Sequence, residues 1–141
     1  MGRLAVTAII LLVVANAASA LFATSVPSRF KHDGDDRFMV IYVGADDCMP
    51  CVQWRKTYRN GFVDSPEFAK LEYHELVSEK LKTAFDDENW PAHLRRYRDT
   101  SKAPRGAPTW IMVRGESVVA TAGGLSSWPK QVWPMVQEAV R

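Results

Sequence analysis

The chain has 141 residues, of which 47% are hydrophobic, and a formal net charge of +2 at pH 7. This length suits one domain and leaves no room for a second hydrophobic core. Basic and acidic residues are mixed and nearly balanced, which excludes the basic stripe typical of nucleic-acid-binding proteins. We therefore expect no nucleic-acid partner.

The first 20 residues have the pattern of a signal peptide. Arg3 supplies a positive charge, residues 4–15 form an apolar run interrupted only by Thr7, and residues 18–20 provide the small side chains of a cleavage site. This apolar run is shorter than the ~20 residues that span a bilayer comfortably. We expect cleavage and a periplasmic location, with an uncleaved membrane anchor as the alternative.

Residues 21–36 are polar and predict an extended lead-in to a single domain over residues 37–141. Residues 37–44 form a nearly continuous apolar and β-branched run, which is typical of a central strand covered on both faces. A helix is predicted from Cys51 to about Arg59, because Asn60-Gly61 is a common stop signal.

The middle of the chain predicts short elements. A capping pattern at Ser65 predicts a short helix to Lys70, and residues 71–77 alternate as a strand does. A polar helical stretch is predicted from Ser78, followed by a second helix over residues 89–98.

The last third of the chain predicts a loop at residues 100–106, followed by two strands, residues 109–113 and 117–121, which are joined by a tight hairpin. A glycine break at residues 123–124 and a closing helix over residues 126–140 complete the chain. The element order is therefore β-α-β-α-β-β-α. A strand, a crossover helix and a second strand make a parallel unit, and the hairpin adds an antiparallel edge. The predicted fold is α/β, with a four-stranded mixed sheet and helices on both faces.

The two cysteines of the chain, Cys48 and Cys51, enclose Met49 and Pro50 between the first strand and the first helix. Exported compartments oxidise thiols, so the pair is either a structural bond or a working redox couple. A chain of this size can bury a core without a disulfide, which favours the redox couple. Cys48, at the helix N-terminus, is the expected exposed nucleophile, and Cys51, one turn inside, is the expected resolving thiol.

Two acidic residues precede the cysteine pair. Asp46 and Asp47 place negative charge near Cys48, which disfavours a thiolate, and the motif contains no histidine or lysine to compensate. A less stabilised thiolate makes a less oxidising couple. This pattern favours a reductase over a strong oxidase, unless the carboxylates only cap the helix and are screened by solvent.

Pro108 follows Ala107 at the start of a predicted strand, where proline is tolerated. Together with the cysteine pair and the element order, this position favours a cis Ala107–Pro108 peptide bond. The Cys-x-x-Cys turn after a buried strand, residues 106–109 before the last hairpin and residues 123–124 before the final helix resemble the thioredoxin superfamily. With the export signal, the chain is similar to its small periplasmic thiol–disulfide oxidoreductases.

The resemblance implies a minimal thioredoxin-like fold in which Cys48 attacks and Cys51 resolves. It implies that Ala107 and Pro108 form a substrate loop against the sulfurs, beside Met49 and Pro50. No cofactor or metal is implied. The expected partner is a disulfide-bearing client protein of the cell envelope, and the compartment implies a membrane thiol relay as electron donor. We expect a monomer.

The chain departs from thioredoxin at informative positions. Tyr42 replaces the buried acid that accepts a proton, and Asp47 replaces the tryptophan before the first cysteine. The lead-in is too short for the additional strand and helix of full thioredoxins. The length also excludes the inserted or dimerisation domains of the family's oxidases and isomerases.

Other functions were weighed against the redox couple. A zinc site using His74 and His93 with the cysteines has intervals that match no compact zinc module. Haem attachment is excluded because Val52 follows Cys51, and a cysteine–histidine hydrolase has no supporting signature. A non-catalytic binding module with a structural disulfide is the alternative left open.

Overall fold

The computed structural model describes residues 36–141, so the predicted signal peptide and nearly all of the lead-in lie outside the described residues. The sheet has four strands, which are β1 (Phe38–Ala45), β2 (Glu72–Ser78), β3 (Thr109–Arg114) and β4 (Ser117–Gly123). Their order is β2-β1-β3-β4, with β1 parallel to β2 and antiparallel to β3, and β3 antiparallel to β4. The predicted mixed sheet is confirmed.

Strand β1 is central, and every residue in it is buried. Because side chains alternate across a strand, Val40 and Tyr42 pack on one face, while Met39 and Ile41 pack on the other. This double burial explains why the run is almost continuously apolar.

The first helix begins after Cys48 and is longer than predicted. It comprises α1 (Met49–Trp54), a π-helical turn (Arg55–Arg59) and α2 (Asn60–Val63) without interruption. The predicted stop at Asn60-Gly61 is therefore wrong. Phe62 is 2% exposed and packs into the core, so burial of this ring outweighs the local preference of Asn-Gly for a helix end.

The next two helix predictions have different outcomes. The short helix predicted to end at Lys70 is present as a 3-10 turn (Phe68–Lys70), and the Phe68 N–H donates to Ser65 Oγ at 3.2 Å. The polar helix predicted after Ser78 is wrong, because that stretch forms only two 3-10 turns (Leu81–Thr83 and Asp87–Asn89). Side chains there bond to the backbone instead: the Ser78 hydroxyl donates to the Lys80 carbonyl at 2.8 Å, and Asn89 Nδ2 donates to the Thr83 carbonyl at 2.8 Å. Such bonds compete with a helical ladder.

The remaining helices agree with the prediction in kind. Helix α3 (Ala92–Thr100) starts after Pro91, which takes the N-cap position. The closing helix consists of a π-helical turn (Trp128–Val132) and α4 (Trp133–Ala139). Within residues 36–141, no helix is both long and apolar enough to cross a membrane.

The helices cover both faces of the sheet, as predicted. On one face, Trp54 of α1 and Val136 of α4 belong to the same buried cluster as Tyr42. On the other face, Leu94 of α3 packs with Ile41. The carboxyl end of β1 is left between these layers, and the cysteine pair follows it.

Candidate active site

Cys48 and Cys51 form a disulfide at the start of α1, with their Cα atoms 5.2 Å apart. Cys48 is the N-cap residue, and the Cys51 backbone N–H donates to its Sγ at 3.3 Å. Pro50 lies in the first turn, where its missing N–H leaves no bond unmade. The predicted placement of the pair at a strand-to-helix junction is confirmed, and a backbone N–H at Sγ would stabilise a thiolate there.

Both cysteines are buried. Cys51 has no exposed surface, as expected, but Cys48 is only 4% exposed, so the prediction of an exposed nucleophile is wrong for this oxidised form. The carbonyl oxygen of Ala107 lies 3.3 Å from Cys48 Sγ and covers it, and Ala45 packs from the strand side. Met49, by contrast, is 76% exposed. Cys48 is the more accessible of the two residues.

The loop that covers Cys48 contains a cis peptide bond between Ala107 and Pro108, as predicted. Within this loop the buried Thr109 hydroxyl donates to the Gly106 carbonyl at 2.8 Å. The Gly124 N–H donates to the Pro108 carbonyl at 2.8 Å, and Gly124 has a φ of +83°, a conformation suited to glycine. Gly124, directly after β4, thus helps to position the loop.

Asp46 and Asp47 are both engaged in contacts away from the helix cap. Arg55 Nη2 donates to Asp46 Oδ1 at 3.0 Å, and the Leu81 N–H donates to Asp47 Oδ1 at 2.7 Å. The guanidinium of Arg55 offsets the charge of Asp46, so that carboxylate disfavours a Cys48 thiolate less than the sequence implied. The sequence did not reveal this pairing.

Tyr42 occupies the position where the resemblance implies a proton-accepting acid. Its ring is fully buried and stacks on Trp54, with 4.4 Å between centroids. Burial raises the pKa of Tyr42 to about 12, and its hydroxyl has no protein hydrogen-bond partner among residues 36–141. The phenol therefore stays protonated at neutral pH and cannot accept a proton from Cys51.

The histidines considered as zinc ligands lie near each other, with ring centroids 5.7 Å apart. His74 Nε2 contacts Glu72 Oε1 at 2.6 Å, and His93 is on the exposed side of α3. Both cysteines are held in the disulfide. No group of three or more potential metal ligands occurs in the described part of the chain.

A groove beside the disulfide was missed by sequence reasoning. Its volume is about 580 Å³, and we call it the active-site groove; it is lined by Pro50, Gln53, Tyr58, Ala107, Gly124, Leu125, Ser126, Pro129 and Lys130. These residues come from three separate segments that only the tertiary fold brings together. Pro50 and Ala107, predicted as substrate-binding residues, both line it.

No protein-family model matches this sequence, and a search of curated proteins gave no significant match. Solved structures do match. The thioredoxin of Malassezia sympodialis is 17% identical with a TM-score of 0.52, over 77% of this chain and 81% of that one. Spinach chloroplast thioredoxin f is 17% identical with a TM-score of 0.50, over 74% and 77% of the two chains.

The periplasmic thioredoxin SoxS of Paracoccus pantotrophus, in its reduced form, is 15% identical with a TM-score of 0.50, over 74% of this chain and 96% of that one. At these identities the likeness concerns the fold. The strand order, the helices on both faces and the structural matches agree. The domain described here therefore has a thioredoxin-like fold, with a Cys-x-x-Cys disulfide at the carboxyl end of its central strand.

Proposed function

We propose that this protein is a thiol–disulfide oxidoreductase that reduces disulfides of client proteins in the cell envelope. The observation that carries the proposal is the Cys48–Cys51 disulfide at a helix N-terminus, where the Cys51 backbone N–H lies 3.3 Å from Cys48 Sγ. A structural disulfide needs no such environment. Thiolate chemistry does, because backbone N–H groups at a helix start stabilise the negative sulfur.

The reaction starts from the dithiol form. The Cys48 thiol loses its proton to solvent, and its thiolate attacks one sulfur of a client disulfide, so that a Cys48–client bond forms, the client S–S bond breaks, and the other client sulfur departs as a thiolate that can take the proton of Cys51. Cys51 then loses its proton and attacks Cys48 Sγ. This second exchange forms the Cys48–Cys51 disulfide and releases the other client thiol. Two electrons and two protons pass from the dithiol to the client.

Proton transfer from Cys51 requires an acceptor other than Tyr42, whose pKa is about 12. Cys51 is fully buried, and its environment of Ala45 and Cys48 is apolar. The leaving client thiolate is the base that the reaction itself brings to this site. Resolution is therefore expected to be slower than the initial attack.

The groups around Cys48 suit a polypeptide client. An extended client chain would lie against the Ala107–Pro108 loop, where backbone groups can pair, and against the exposed Met49 and Pro50. These four residues are proposed as the substrate-binding residues. Displacement of the Ala107 carbonyl from Cys48 Sγ would then expose this sulfur, so that it can attack the client disulfide.

Direction and location are part of the proposal. The motif has no histidine or lysine to stabilise the thiolate, which supports a reductant, although Arg55 offsets part of the acidic character of Asp46. The signal-peptide pattern of residues 1–20 supports a periplasmic location and therefore an envelope client. A reductant in that compartment requires electrons from a membrane thiol relay, and the protein is proposed to act as a monomer.

A non-catalytic module with a structural disulfide is the second candidate, and the 4% exposure of Cys48 favours it. The two functions differ in redox behaviour. A working couple equilibrates with a dithiol buffer, and its Cys48 thiol is alkylated faster than that of Cys51. A disulfide that resists mild dithiols and whose loss unfolds the domain would establish the structural role instead.

Trapping of clients tests the assigned roles. Cys51→Ser is expected to accumulate a mixed disulfide with envelope proteins, because Cys48 attacks and nothing resolves the product. Cys48→Ser is the matched control and is expected to trap none. Equal trapping by the two variants would refute the roles. A midpoint potential near that of strong oxidases, at about −120 mV, would refute the reductive direction.

A further inference from the structure

Two π-helical turns lie at the surface beside the active site, one at Arg55–Arg59 and one at Trp128–Val132. Such turns are rare in proteins, and those that occur are frequently found at functional sites. Between them is a pocket of about 350 Å³, which we call the aromatic pocket, lined by Thr57, Tyr58, Gly61, Phe62, Trp128, Pro129 and Trp133. Each π-helical turn contributes residues to this lining.

The aromatic pocket adjoins the active-site groove. Tyr58 and Pro129 line both cavities. The groove is also lined by Pro50 and Ala107, which flank the disulfide. A chain bound at the disulfide and extended along the groove would therefore reach the residues that border the pocket.

The walls of the pocket are aromatic and rigid. Phe62 and Trp128 pack edge to face with centroids 5.1 Å apart, and Trp128 and Trp133 stack at 6.1 Å. Trp128 is 4% exposed, whereas Tyr58 and Trp133 are half-buried and present ring surface to the cavity. None of the described residues that line the pocket is charged, while Lys130 lines the neighbouring groove. This surface suits one large apolar side chain.

We propose that the aromatic pocket binds a large apolar side chain of the client, several residues along the chain from the cysteine that Cys48 attacks. The inference rests on the proposed function and specifies its substrate class: extended segments with an aromatic or large aliphatic residue at a set distance from the cystine. Burial of that side chain holds the client disulfide at Cys48 and raises the rate of exchange at low client concentration.

Gly61 provides a means of blocking the pocket. It lines the cavity, and a Cβ built on it meets no atom within 4 Å, so the Cβ of Gly61→Leu is accommodated and the leucine side chain is added at the edge of the pocket. Leucine also favours a helix more than glycine does. Asn60→Leu is the matched control, because this exposed neighbour in α2 receives the same side chain outside the pocket.

The test measures disulfide exchange by the reduced full-length protein. The substrates are otherwise identical Ala/Ser peptides whose single cysteine is joined to a chromophoric thiol, with one Phe moved stepwise along the peptide. The second-order rate constant is expected to rise about tenfold, or about 1.4 kcal/mol, at one Phe position. Gly61→Leu is expected to abolish this gain, and Asn60→Leu to retain it.

A gain at no Phe position, or a gain that survives in Gly61→Leu, would overturn the inference. Glutathione disulfide, which carries no Phe, separates this result from failure of the proposed function: its reduction is expected to be equal in all three proteins. If none of them reduces any substrate, the proposed function fails and the inference with it. A dimer seen by sedimentation and lost in Gly61→Leu would overturn the client assignment, because the occupant would be a second copy of the chain.

Discussion

The hydroxyl of Tyr42 is the most testable polar group in the core, because the ring has no exposed surface and the hydroxyl has no protein hydrogen-bond partner within residues 36–141. Tyr42→Phe removes the hydroxyl and keeps the ring that stacks on Trp54. A buried hydroxyl without a partner costs roughly 1–3 kcal/mol. The free energy of unfolding at pH 7 is therefore expected to rise by about 1 kcal/mol in this variant.

The same variant changes the alkaline limb of the stability profile. An unfolded tyrosine ionises near pH ~10, whereas burial raises the pKa of Tyr42 to about 12 in the folded protein. Ionisation of Tyr42 therefore leaves the free energy of unfolding unchanged below pH ~10, where the tyrosine is protonated in both states, and lowers it as the pH rises toward 12, where only the unfolded state readily loses the proton. At pH ~11 the wild type is expected to have lost about 1.4 kcal/mol that Tyr42→Phe keeps.

Urea unfolding of the oxidised proteins between pH 7 and ~11 measures both effects. Burial also raises the pKa of Tyr73, but that tyrosine is present in both proteins and cancels in the difference. Tyr58→Phe, at a half-buried ring, is the matched control and is expected to change stability at pH 7 by less than about 0.5 kcal/mol. A loss of more than about 1 kcal/mol at pH 7 in Tyr42→Phe, or parallel alkaline limbs, would refute the reasoning.

Two further substitutions test the packing around the site. Gly44→Ala would place a Cβ 2.5 Å from the Tyr42 hydroxyl oxygen and 2.8 Å from two carbons of its ring. The free energy of unfolding, measured in urea, is therefore expected to fall by about 1–3 kcal/mol. An unchanged free energy of unfolding would contradict this close packing. Thr109→Val removes the 2.8 Å bond to the Gly106 carbonyl and is expected to cost about 1 kcal/mol. It is also expected to slow peptide exchange through the Ala107 loop, without an effect on the reduction of glutathione disulfide; equal rates with the peptide would contradict the positioning role of Thr109.

The sheet and the place of the cysteines could be predicted because they depend on local patterns. The apolar run of β1 has the composition of a strand buried on both faces, and a Cys-x-x-Cys turn with Pro50 suits a helix start. The position of Pro108, taken with these features, indicated the cis peptide bond that the structure contains. Each of these inferences uses residues that are close in the sequence.

The errors have a common physical cause. Asn60-Gly61 favours a helix end locally, yet Phe62 is buried against distant residues and the helix continues to Val63. Cys48 is covered by the carbonyl of Ala107, which is 59 residues away in the sequence. Asp46 and Asp47 were interpreted from their nearness to Cys48, although Asp46 pairs with Arg55. In each case a long-range contact or a side-chain geometry outweighed a local preference.

By itself the sequence determined the order of elements, the sheet with its buried central strand, and a cysteine pair at a strand-to-helix junction, because hydrophobic periodicity and turn residues act over short distances. Only the tertiary structure decided how far Cys48 is exposed, which partners the acidic residues have, and that Tyr58 and Pro129 line both the active-site groove and the aromatic pocket. These features depend on segments that meet through packing, and no pattern along the chain encodes such distances.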